Sequence, residues 1–337
     1  MSLATVWYVL IAVLFVGYFF LEGFDYGVGV LVPWLGRTDG ERRALWATIG
    51  PVWDANEVWL ITAAGALFAA FPAWYASLFS GFYPFLALVL GALIVRGVGL
   101  EFRSKRDESQ WRSGWDWGIA VSSAVLAAAW GFVMGAMLHG VPIDPAGNLV
   151  GGVGPLFTPY SLVGALASLL LFTLHGALYL TLKAPPPLAE RARKAAFRVG
   201  GPATAAYFLF VIMSYFYSDF ARKLGVDPGA IPILAGLSMV AVRVVLPRPY
   251  PLLAFFLTGT TIILSTVSVF LALWPRVMIS SLNPAWSLTV SQAAANPYSL
   301  KVMSITALFI LPIVLAYQAW TYWVFRQRVG MTDTFHY

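Results

Sequence analysis

The stretch GYFFLEGFDYGVGVLVPWLG, residues 17–36, is almost entirely apolar and yet carries two acidic residues. Glu22 and Asp25 are three residues apart, so they share one face of a helix. A charged side chain in the apolar part of a membrane costs at least about 2.5 kcal/mol and is rare there unless it serves a function. The stretch therefore predicts a membrane helix that carries a functional acidic pair.

The composition of the whole chain is typical of an integral membrane protein. Of its 337 residues, 60% are hydrophobic and 11% are charged, whereas about a quarter of the residues in soluble domains are charged. Cysteine is absent, which excludes disulfides, iron–sulfur clusters and thiolate metal sites. Three imidazoles, those of His139, His175 and His336, remain as candidate metal ligands.

Apolar segments separated by charged or Pro/Gly-rich breaks predict an all-α integral membrane protein with nine transmembrane helices. The segments are Leu3 to Leu35, Leu45 to Phe71, Ser77 to Leu100, Trp117 to Leu138, Ser161 to Leu182, Phe197 to Tyr217, Ala230 to Leu246, Tyr250 to Trp274, and Val302 to Phe325. We interpret residues 1–337 as a single polytopic membrane domain. Residues 1–140 hold helices 1–4 with the acidic motifs, and residues 160–326 hold helices 5–9.

The basic residues predict how these helices are oriented. Seventeen of the 21 Lys and Arg residues fall on one side, and the other side has only Arg222, Lys223, Arg276 and Lys301. By the positive-inside rule, the N-terminus lies outside and the C-terminus lies in the cytoplasm. The formal charge of +6 is thus a topology signal rather than a nucleic-acid surface. Residues 103–107 are expected to form a solvated cytoplasmic face.

The second predicted helix repeats the acidic pattern of the first. In GPVWDANEVWLITA, Asp54 and Glu57 are again three residues apart. Asp25 and Asp54 are each twelve residues from the basic turn between the two helices, so both are expected about 18 Å from that turn. Gly23 and Gly27 form a small-xxx-small pair that permits close helix contact at this level. Two helices are therefore expected to bring four carboxyl groups together.

Carboxyl groups that are coupled to one another at membrane depth suit proton transfer. A proton path from the cytoplasm through Asp25 and Asp54 is the favoured interpretation, with Glu22 and Glu57 in support. Arg96, inside the third span, is placed to bind one of these acids or an anionic cofactor edge such as a haem propionate. Two alternatives stay open: carboxyls that only hold helices together, and a proton-coupled secondary transporter. Neither an inverted repeat nor paired broken helices support the transporter.

The histidines favour a chain that ligates no haem. His139 ends the fourth span at the outer surface, whereas His175 lies roughly 21 Å into the fifth, so the two cannot bind one iron together. A single histidine paired with a methionine stays open as a haem ligand set. A lone membrane histidine is more often a hydrogen-bonded core residue.

Several motifs resemble those of subunit II of the cytochrome bd quinol oxidases. They are EGFDYGVGVL, LGRTDGERR, GPVWDANEVWLITAAGALFAAFP, VGLEFRSK, WDWGI and YQAWTYWVF, with HGALYL and SLNPAWSLTV elsewhere in the chain. The resemblance implies a heterodimer that reduces dioxygen to water. In it, subunit I binds the b- and d-type haems and oxidises quinol, while this chain ligates no haem and supplies a proton route.

The resemblance also implies roles for individual residues. Asp25 and Asp54 match acidic positions of the family, and Trp53 and Arg96 match residues near the haem site of subunit I. A bacterial or archaeal cell membrane, contact with membrane lipid and a small accessory subunit are further expectations. A purely structural assembly subunit stays open as a third function, and it predicts that the carboxyls can be neutralised without lowering turnover.

Overall fold

The computed structural model describes residues 2–219 and 229–331. Within these ranges the helices are α1 Leu3–Leu35, α2 Asp39–Trp46, α3 Trp53–Ala70, α4 Pro72–Gly81, α5 Tyr83–Phe102, α6 Ser109–His139, α7 Pro159–Lys183, α8 Pro186–Tyr217, α9 Ala230–Val245, α10 Pro251–Leu273, α11 Val290–Ala293 and α12 Pro297–Val324. Strands β1 Arg276–Met278 and β2 Leu288–Thr289 pair in an antiparallel ribbon. His336, Arg222 and Lys223 lie outside the described residues.

The all-α membrane architecture is confirmed for the described part of the chain. Seven helices in residues 2–219 and 229–331 are long and apolar enough to cross a membrane, namely α1, α5, α6, α7, α8, α10 and α12. The two remaining predicted spans correspond to shorter or more polar helices: α3 has 18 residues and includes Asp54 and Glu57, and α9 has 16 residues. The total of nine membrane spans therefore stays a prediction.

The second predicted span is wrong in its first third. Leu45 to Phe71 is not one helix, since α2 ends at Trp46 and α3 begins at Trp53. Pro51 lies in the intervening turns, and a proline has no backbone N–H to continue a helix. The first hairpin consequently contains a short extra helix, α2, between its two long arms.

The third predicted span is interrupted as well. Ser77 to Leu100 crosses a break between α4, which ends at Gly81, and α5, which begins at Tyr83. Pro84 lies in the first turn of α5, where its ring is tolerated, but in a continuous helix it would clash with the carbonyl four residues earlier. The break between the seventh and eighth spans, at PRPYP, is where the sequence predicts it, since α9 ends at Val245 and α10 begins at Pro251.

Helix α1 is the centre of the bundle and packs against α3, α6, α7 and α10. The predicted close contact at its glycines is confirmed. A Cβ on Gly27 would overlap the carbonyl oxygen of Phe172 and lie 2.8 Å from Cα of Gly176, and a Cβ on Gly23 would lie 2.7 Å from the Phe172 ring. The two helix backbones therefore touch where α1 crosses α7, just beside Asp25.

One end of the bundle is strongly basic, and we call it the basic end. It comprises the last turns of α1 and α7, all of α2, residues 103–105 after α5, the first turns of α6 and α8 and the segment 325–331. Its cationic side chains include Arg42, Arg103, Lys183, Arg191 and Arg328. This end is the cytoplasmic one in the topology that the basic residues predict.

Candidate functional site

Arg96 lies at the centre of a cluster of acidic residues inside the bundle. The side chain is fully buried, and its Nη1 forms an ion pair with the equally buried Glu22 of α1. The same nitrogen is 3.4 Å from Oε2 of Glu57, which is 18% exposed. The guanidinium also lies over the ring of Tyr26, 5.1 Å from its centroid. Arg96 was expected to bind either an acidic residue or an anionic cofactor edge, and the structure shows it bound to acidic residues.

Asp25 lies next to this ion pair but is bound by an amide instead of a cation. Its carboxyl is fully buried, and its Oδ2 accepts a hydrogen bond of 2.7 Å from Nδ2 of Asn56 on α3. The Oδ1 atom of Asp25 accepts no hydrogen bond from an N–H or hydroxyl group within residues 2–219 and 229–331. One oxygen is thus held by Asn56, and the carboxyl group of Glu22 is a further hydrogen-bonding neighbour of Asp25.

Asn56 is the residue that links three helices at the site. Its Oδ1 accepts a 2.7 Å hydrogen bond from the hydroxyl of Tyr322 on α12 and lies 3.5 Å from Nε2 of Gln318. The Oε1 of Gln318 in turn accepts a 2.8 Å bond from the indole of Trp59. The amide of Asn56 therefore connects Asp25 of α1 with the last helix of the chain.

Asn56 was not predicted as a site residue, because α3 is apolar around its whole circumference and its sequence marks no inner face. With about 100° per residue, Asn56 faces roughly opposite to Asp54. Asn56 shares a stripe with Ala63, Leu67 and Ala70, which are the other buried residues of α3. Burial in the folded chain, and not the sequence pattern of α3, therefore shows that Asn56, rather than an acid, faces α1.

Asp54 lies on the opposite, exposed face of α3. It interacts electrostatically with Glu57 one turn later, so Glu57 lies between the exposed Asp54 and the buried Arg96. Trp53, also in the first turn, packs its ring 3.5 Å from the position that a Cβ on Gly97 would occupy, next to Arg96. The four acids thus do not converge on one point: Glu22, Asp25 and Glu57 surround Arg96, while Asp54 lies at the surface of the same cluster.

The acidic groups in this cluster outnumber the basic ones. Glu22, Asp25 and Glu57 provide three carboxyl groups, and Arg96 provides one guanidinium. The four groups interact strongly, because they lie in a medium of low dielectric constant. Carboxyls that outnumber their cationic partners in such a medium bind and release protons as a coupled group rather than singly.

The two described histidines, His139 and His175, each hydrogen-bond to groups outside the acidic cluster. His175 is fully buried, its Nδ1 is 2.7 Å from the hydroxyl of Thr258, and its Nε2 is 3.2 Å from the carbonyl oxygen of Phe20. His139, at the end of α6, places Nδ1 2.8 Å from the carbonyl oxygen of Tyr217. The surroundings of His175 are those expected of a hydrogen-bonded core residue.

A second network of charges lies at the basic end and was not predicted from the sequence. Asp116 of α6 is fully buried and accepts hydrogen bonds from Arg42, from Arg103 and, at 2.8 Å, from the indole of Trp46. Arg103 also donates to Asp39 at 2.8 Å. The expectation of a solvated face over residues 103–107 is therefore wrong for Arg103, because its guanidinium bridges two carboxylates inside the fold.

The same end is closed by an ion pair between α2 and α8. Both oxygens of Glu41 accept 2.7 Å hydrogen bonds from the guanidinium of Arg191, which also donates to the carbonyl oxygen of Leu35. Such bidentate pairs are the strong ones among ion pairs. The hydrogen bonds from Arg191 lower the pKa of Glu41 from 4.5 to about 2.

Known proteins resemble this chain along its whole length. The family described as cytochrome bd terminal oxidase subunit II matches residues 3–325. The chain is 42% identical to cytochrome bd ubiquinol oxidase subunit 2 of Bacillus subtilis (strain 168), over 100% of this chain and 99% of the relative. It is 35% identical to cytochrome bd-I ubiquinol oxidase subunit 2 of Escherichia coli (strain K12), over 97% and 95%.

A solved structure shares the fold. The structure of bd oxidase from Geobacillus thermodenitrificans superposes with a TM-score of 0.75 at 18% sequence identity, covering 94% of this chain and 97% of that chain. At this identity the likeness concerns the fold alone, whereas the family match and the two relatives concern the sequence itself. This chain belongs to the cytochrome bd terminal oxidase subunit II family.

Proposed function

We propose that this chain carries protons to the oxygen-reducing site of a quinol-oxidising terminal oxidase, through Asp25 and Asp54. The chain is a terminal oxidase subunit by family, and its relatives are named as ubiquinol oxidase subunits. Reduction of dioxygen to water consumes protons, which must cross apolar protein to reach a buried site. The observation that carries the proposal is the placement of Asp25, fully buried and held by Asn56 beside the Arg96 cluster.

The arrangement of the acids supports a direction for this transfer. Asp25 lies inside the bundle, Glu57 is partly exposed, and Asp54 is exposed on α3 beside the apolar residues Val58 and Ile61. A partner chain that covered this face of α3 would meet Asp54 directly. We assign Asp25 to proton uptake and Asp54 to delivery, with Glu22 and Glu57 in support and with Arg96 as the counter-charge that lets carboxylates exist at this depth.

The partner is proposed to be subunit I of the same oxidase, in a heterodimer, with quinol as the substrate of the complex. Membrane lipid and a small accessory subunit are further proposed neighbours. Trp53 and Arg96 are proposed to lie on the side of the haem site, since Trp53 packs beside Arg96 at the same end of α3 that exposes Asp54. The membrane is that of a bacterium, as for the relatives.

The haems are proposed to belong to subunit I, because the histidines within residues 2–219 and 229–331 do not fit a haem-iron ligand set. Both ring nitrogens of His175 face hydrogen-bonding partners inside the fold, and His139 is at the end of another helix. The described residues contain no group of three or more potential metal ligands among His, Cys, Asp and Glu. No step of the proposed proton transfer runs through a metal bound by this chain.

We further propose nine membrane spans, with the N-terminus outside and the C-terminus in the cytoplasm. The clustering of Arg42, Arg103, Lys183, Arg191 and Arg328 at one end of the bundle supports this orientation. A reporter fused to the C-terminus should be active only in the cytoplasm, and one inserted near Ser291 only outside. The opposite pattern would contradict the span count.

The test of the proton-transfer function is turnover per haem in Asp25→Asn and Asp54→Asn complexes. An amide keeps the shape of the carboxyl but cannot cycle a proton as an acid does. We expect oxygen consumption about tenfold slower, equivalent to about 1.4 kcal/mol in the barrier, with normal haem spectra. Asp107→Asn is the control, because Asp107 is fully exposed. Full turnover in both variants would contradict the proposal, and loss of haem before loss of turnover per haem would favour an assembly role.

The Asp25→Asn and Asp54→Asn double variant adds a second criterion. If the two residues act in one pathway, the double substitution should cost much less than the product of the single effects. Multiplicative losses would mean that the two aspartates act independently.

A further inference from the structure

A cavity of about 490 Å³ lies at the basic end, between the turns that join α2 to α3, α7, α10 and the last turn of α12. Its wall includes Ala47, Val52 and Lys183 together with the segment Phe325 to Val329. The cavity is thus bounded by residues at the end of the bundle that the proposed topology places in the cytoplasm. Its volume is large enough for several water molecules, each of which occupies about 30 Å³ in the liquid.

Two tyrosines form the inner wall of this cavity, Tyr179 of α7 and Tyr322 of α12. The hydroxyl of Tyr322 is 2.7 Å from Oδ1 of Asn56, and Nδ2 of Asn56 is 2.7 Å from Oδ2 of Asp25. Both tyrosines also interact electrostatically with Asp25. Asp25 is therefore separated from the cavity by a single layer of side chains.

The hydrogen bonds leave Asp25 able to accept a proton from that side. Asn56 holds Oδ2, whereas Oδ1 accepts no N–H or hydroxyl hydrogen bond within the described residues. A carboxylate oxygen that accepts no N–H hydrogen bond is a competent proton acceptor. Tyr179 is committed elsewhere, because its hydroxyl donates to the carbonyl oxygen of Thr48 at 2.9 Å. Tyr322 is the wall residue bonded to the amide that holds Asp25.

Tyr322 packs against the main hydrophobic core and is also supported by a polar neighbour on its own helix. Leu300 and Gln318 are the buried residues of α12, and Gln318 lies one turn before Tyr322 and contacts the same amide oxygen of Asn56. At this end of the bundle, α12 is thus held to the acidic cluster by polar contacts to α3. These contacts fix the inner wall of the cavity relative to Asp25.

We propose that this cavity is the chamber from which Asp25 takes up protons, and that Tyr322 and Asn56 are positioning residues at its inner wall. The inference rests on the proton-transfer role proposed above and assigns the uptake side of it. In the uptake step, a hydronium ion from the chamber passes between the wall side chains and gives its proton to the Asp25 carboxylate, which yields a carboxylic acid and water. Asn56 keeps the accepting carboxyl beside the wall, and Tyr322 keeps Asn56 in place.

The absence of cysteine in this chain permits a direct test by chemical blocking. Ala47→Cys places one thiol in the chamber wall. Ala189→Cys is the matched control, because Ala189 lines a separate cavity of about 370 Å³ at the same end. Inside-out membrane vesicles containing the two-subunit complex are treated with a membrane-impermeant methanethiosulfonate. The parent complex, whose copy of this chain has no cysteine, is treated in the same way to measure any reaction of the reagent with other subunits. Mass spectrometry measures labelling, and oxygen consumption per haem measures turnover.

We expect labelled Ala47→Cys to turn over about tenfold more slowly and labelled Ala189→Cys to keep its rate, by analogy with a missing relay step. Full labelling of Ala47→Cys without loss of turnover would overturn the inference, and so would failure of the thiol to react. If labelling of Ala47→Cys does not slow turnover but Asp25→Asn does, the chamber alone is rejected. Full turnover in Asp25→Asn would instead reject the proton-transfer function itself.

Tyr322→Phe tests the positioning role, with Tyr317→Phe as control, since Tyr317 is on the same helix and exposed. The hydroxyl is lost and the ring stays. We expect kcat to fall several-fold, the KM for quinol and the haem content to stay unchanged, and the solvent deuterium isotope effect on kcat to increase. A fall in haem content with no change in the isotope effect would show a structural role only, and unchanged kcat would overturn the assignment of Tyr322.

Discussion

Arg96 on α5 and Glu22 on α1 form an ion pair in which neither side chain has any exposed surface. Buried ion pairs of this kind contribute little net stability, but breaking one leaves a charge that nothing compensates. Nη1 of Arg96 also lies 3.4 Å from Oε2 of Glu57. The guanidinium is therefore the common partner of the acidic cluster, and the cluster depends more on Arg96 than on any one acid.

The first prediction follows from this asymmetry. Arg96→Met should destabilise the complex by about 3–5 kcal/mol, because it leaves the buried acids without their cation. Glu22→Gln should destabilise the complex clearly less, since Arg96 keeps its contact with the carboxylate of Glu57. The measurement is the midpoint of thermal unfolding of the purified two-subunit complex, with Arg106→Met, an exposed arginine, as control. Equal losses from Arg96→Met and Glu22→Gln would contradict the central position of Arg96.

The second prediction concerns Asp116 at the basic end. Asp116→Ala should cost about 3–5 kcal/mol, because Arg42 and the buried Arg103 lose their shared carboxylate. Asp107→Ala is a matched control: its carboxyl also binds an arginine, Arg112, but is fully exposed, and exposed pairs contribute about 0–1 kcal/mol. Thermal unfolding of both variants tests the difference, and similar midpoints would show that Asp116 is not a structural node.

The third prediction is a pH dependence carried by Glu41. Hydrogen bonds from Arg191 lower its pKa from 4.5 to about 2 in the folded chain. A depressed pKa adds stability that is complete above the unfolded-state value and is lost as the pH falls through the folded-state value. The stability difference between parent and Glu41→Gln should therefore be constant above pH 4.5 and shrink between pH 4.5 and 2.

Chemical denaturation at several pH values measures this difference. Glu190→Gln is the control, because Glu190 is 54% exposed and its basic partners are 3.9 Å or more away. A difference for Glu41→Gln that grows as the pH falls would have the wrong sign and would reject the assignment of the ion pair to folded-state stability.

The fourth prediction tests the contact between α1 and α7. Gly27→Ala would force its Cβ onto the backbone of Phe172 and Gly176, and overpacking of this kind costs about 1–3 kcal/mol or more. Gly65→Ala on α3 is the control, since a Cβ there has nothing within 4 Å. The yield of assembled, haem-containing complex should fall for Gly27→Ala only. An unchanged yield would mean that the helices can separate at little cost.

Hydropathy was sufficient to predict the long helices, because membrane helices must be apolar over a fixed length. It failed at the second and third spans, where Pro51 and Pro84 divide apolar runs without changing their composition. Sequence spacing identified Glu22, Asp25, Asp54 and Glu57 as one region, since residues three apart share a helix face.

Spacing along single helices could not give the rotation of one helix against another. Asp54 and Asn56 are two positions apart, and only packing decides that Asn56 faces Asp25 while Asp54 faces outward. Likewise, the contact between Asp116 and Arg42 joins residues 74 positions apart. Such contacts depend on tertiary structure, and no local pattern of charges indicated them.

The most direct measurement of the central claim is proton uptake itself. Complexes carrying Asp25→Asn or the control Asp107→Asn are mixed rapidly with oxygen in the fully reduced state, and a pH-sensitive dye records protons taken from solution while haem absorbance records oxygen reduction. We expect uptake in Asp25→Asn to be slowed about tenfold, in step with the slowed formation of water, and Asp107→Asn to match the parent. Proton uptake at the parental rate in Asp25→Asn, with all haems present, would contradict a proton path through Asp25.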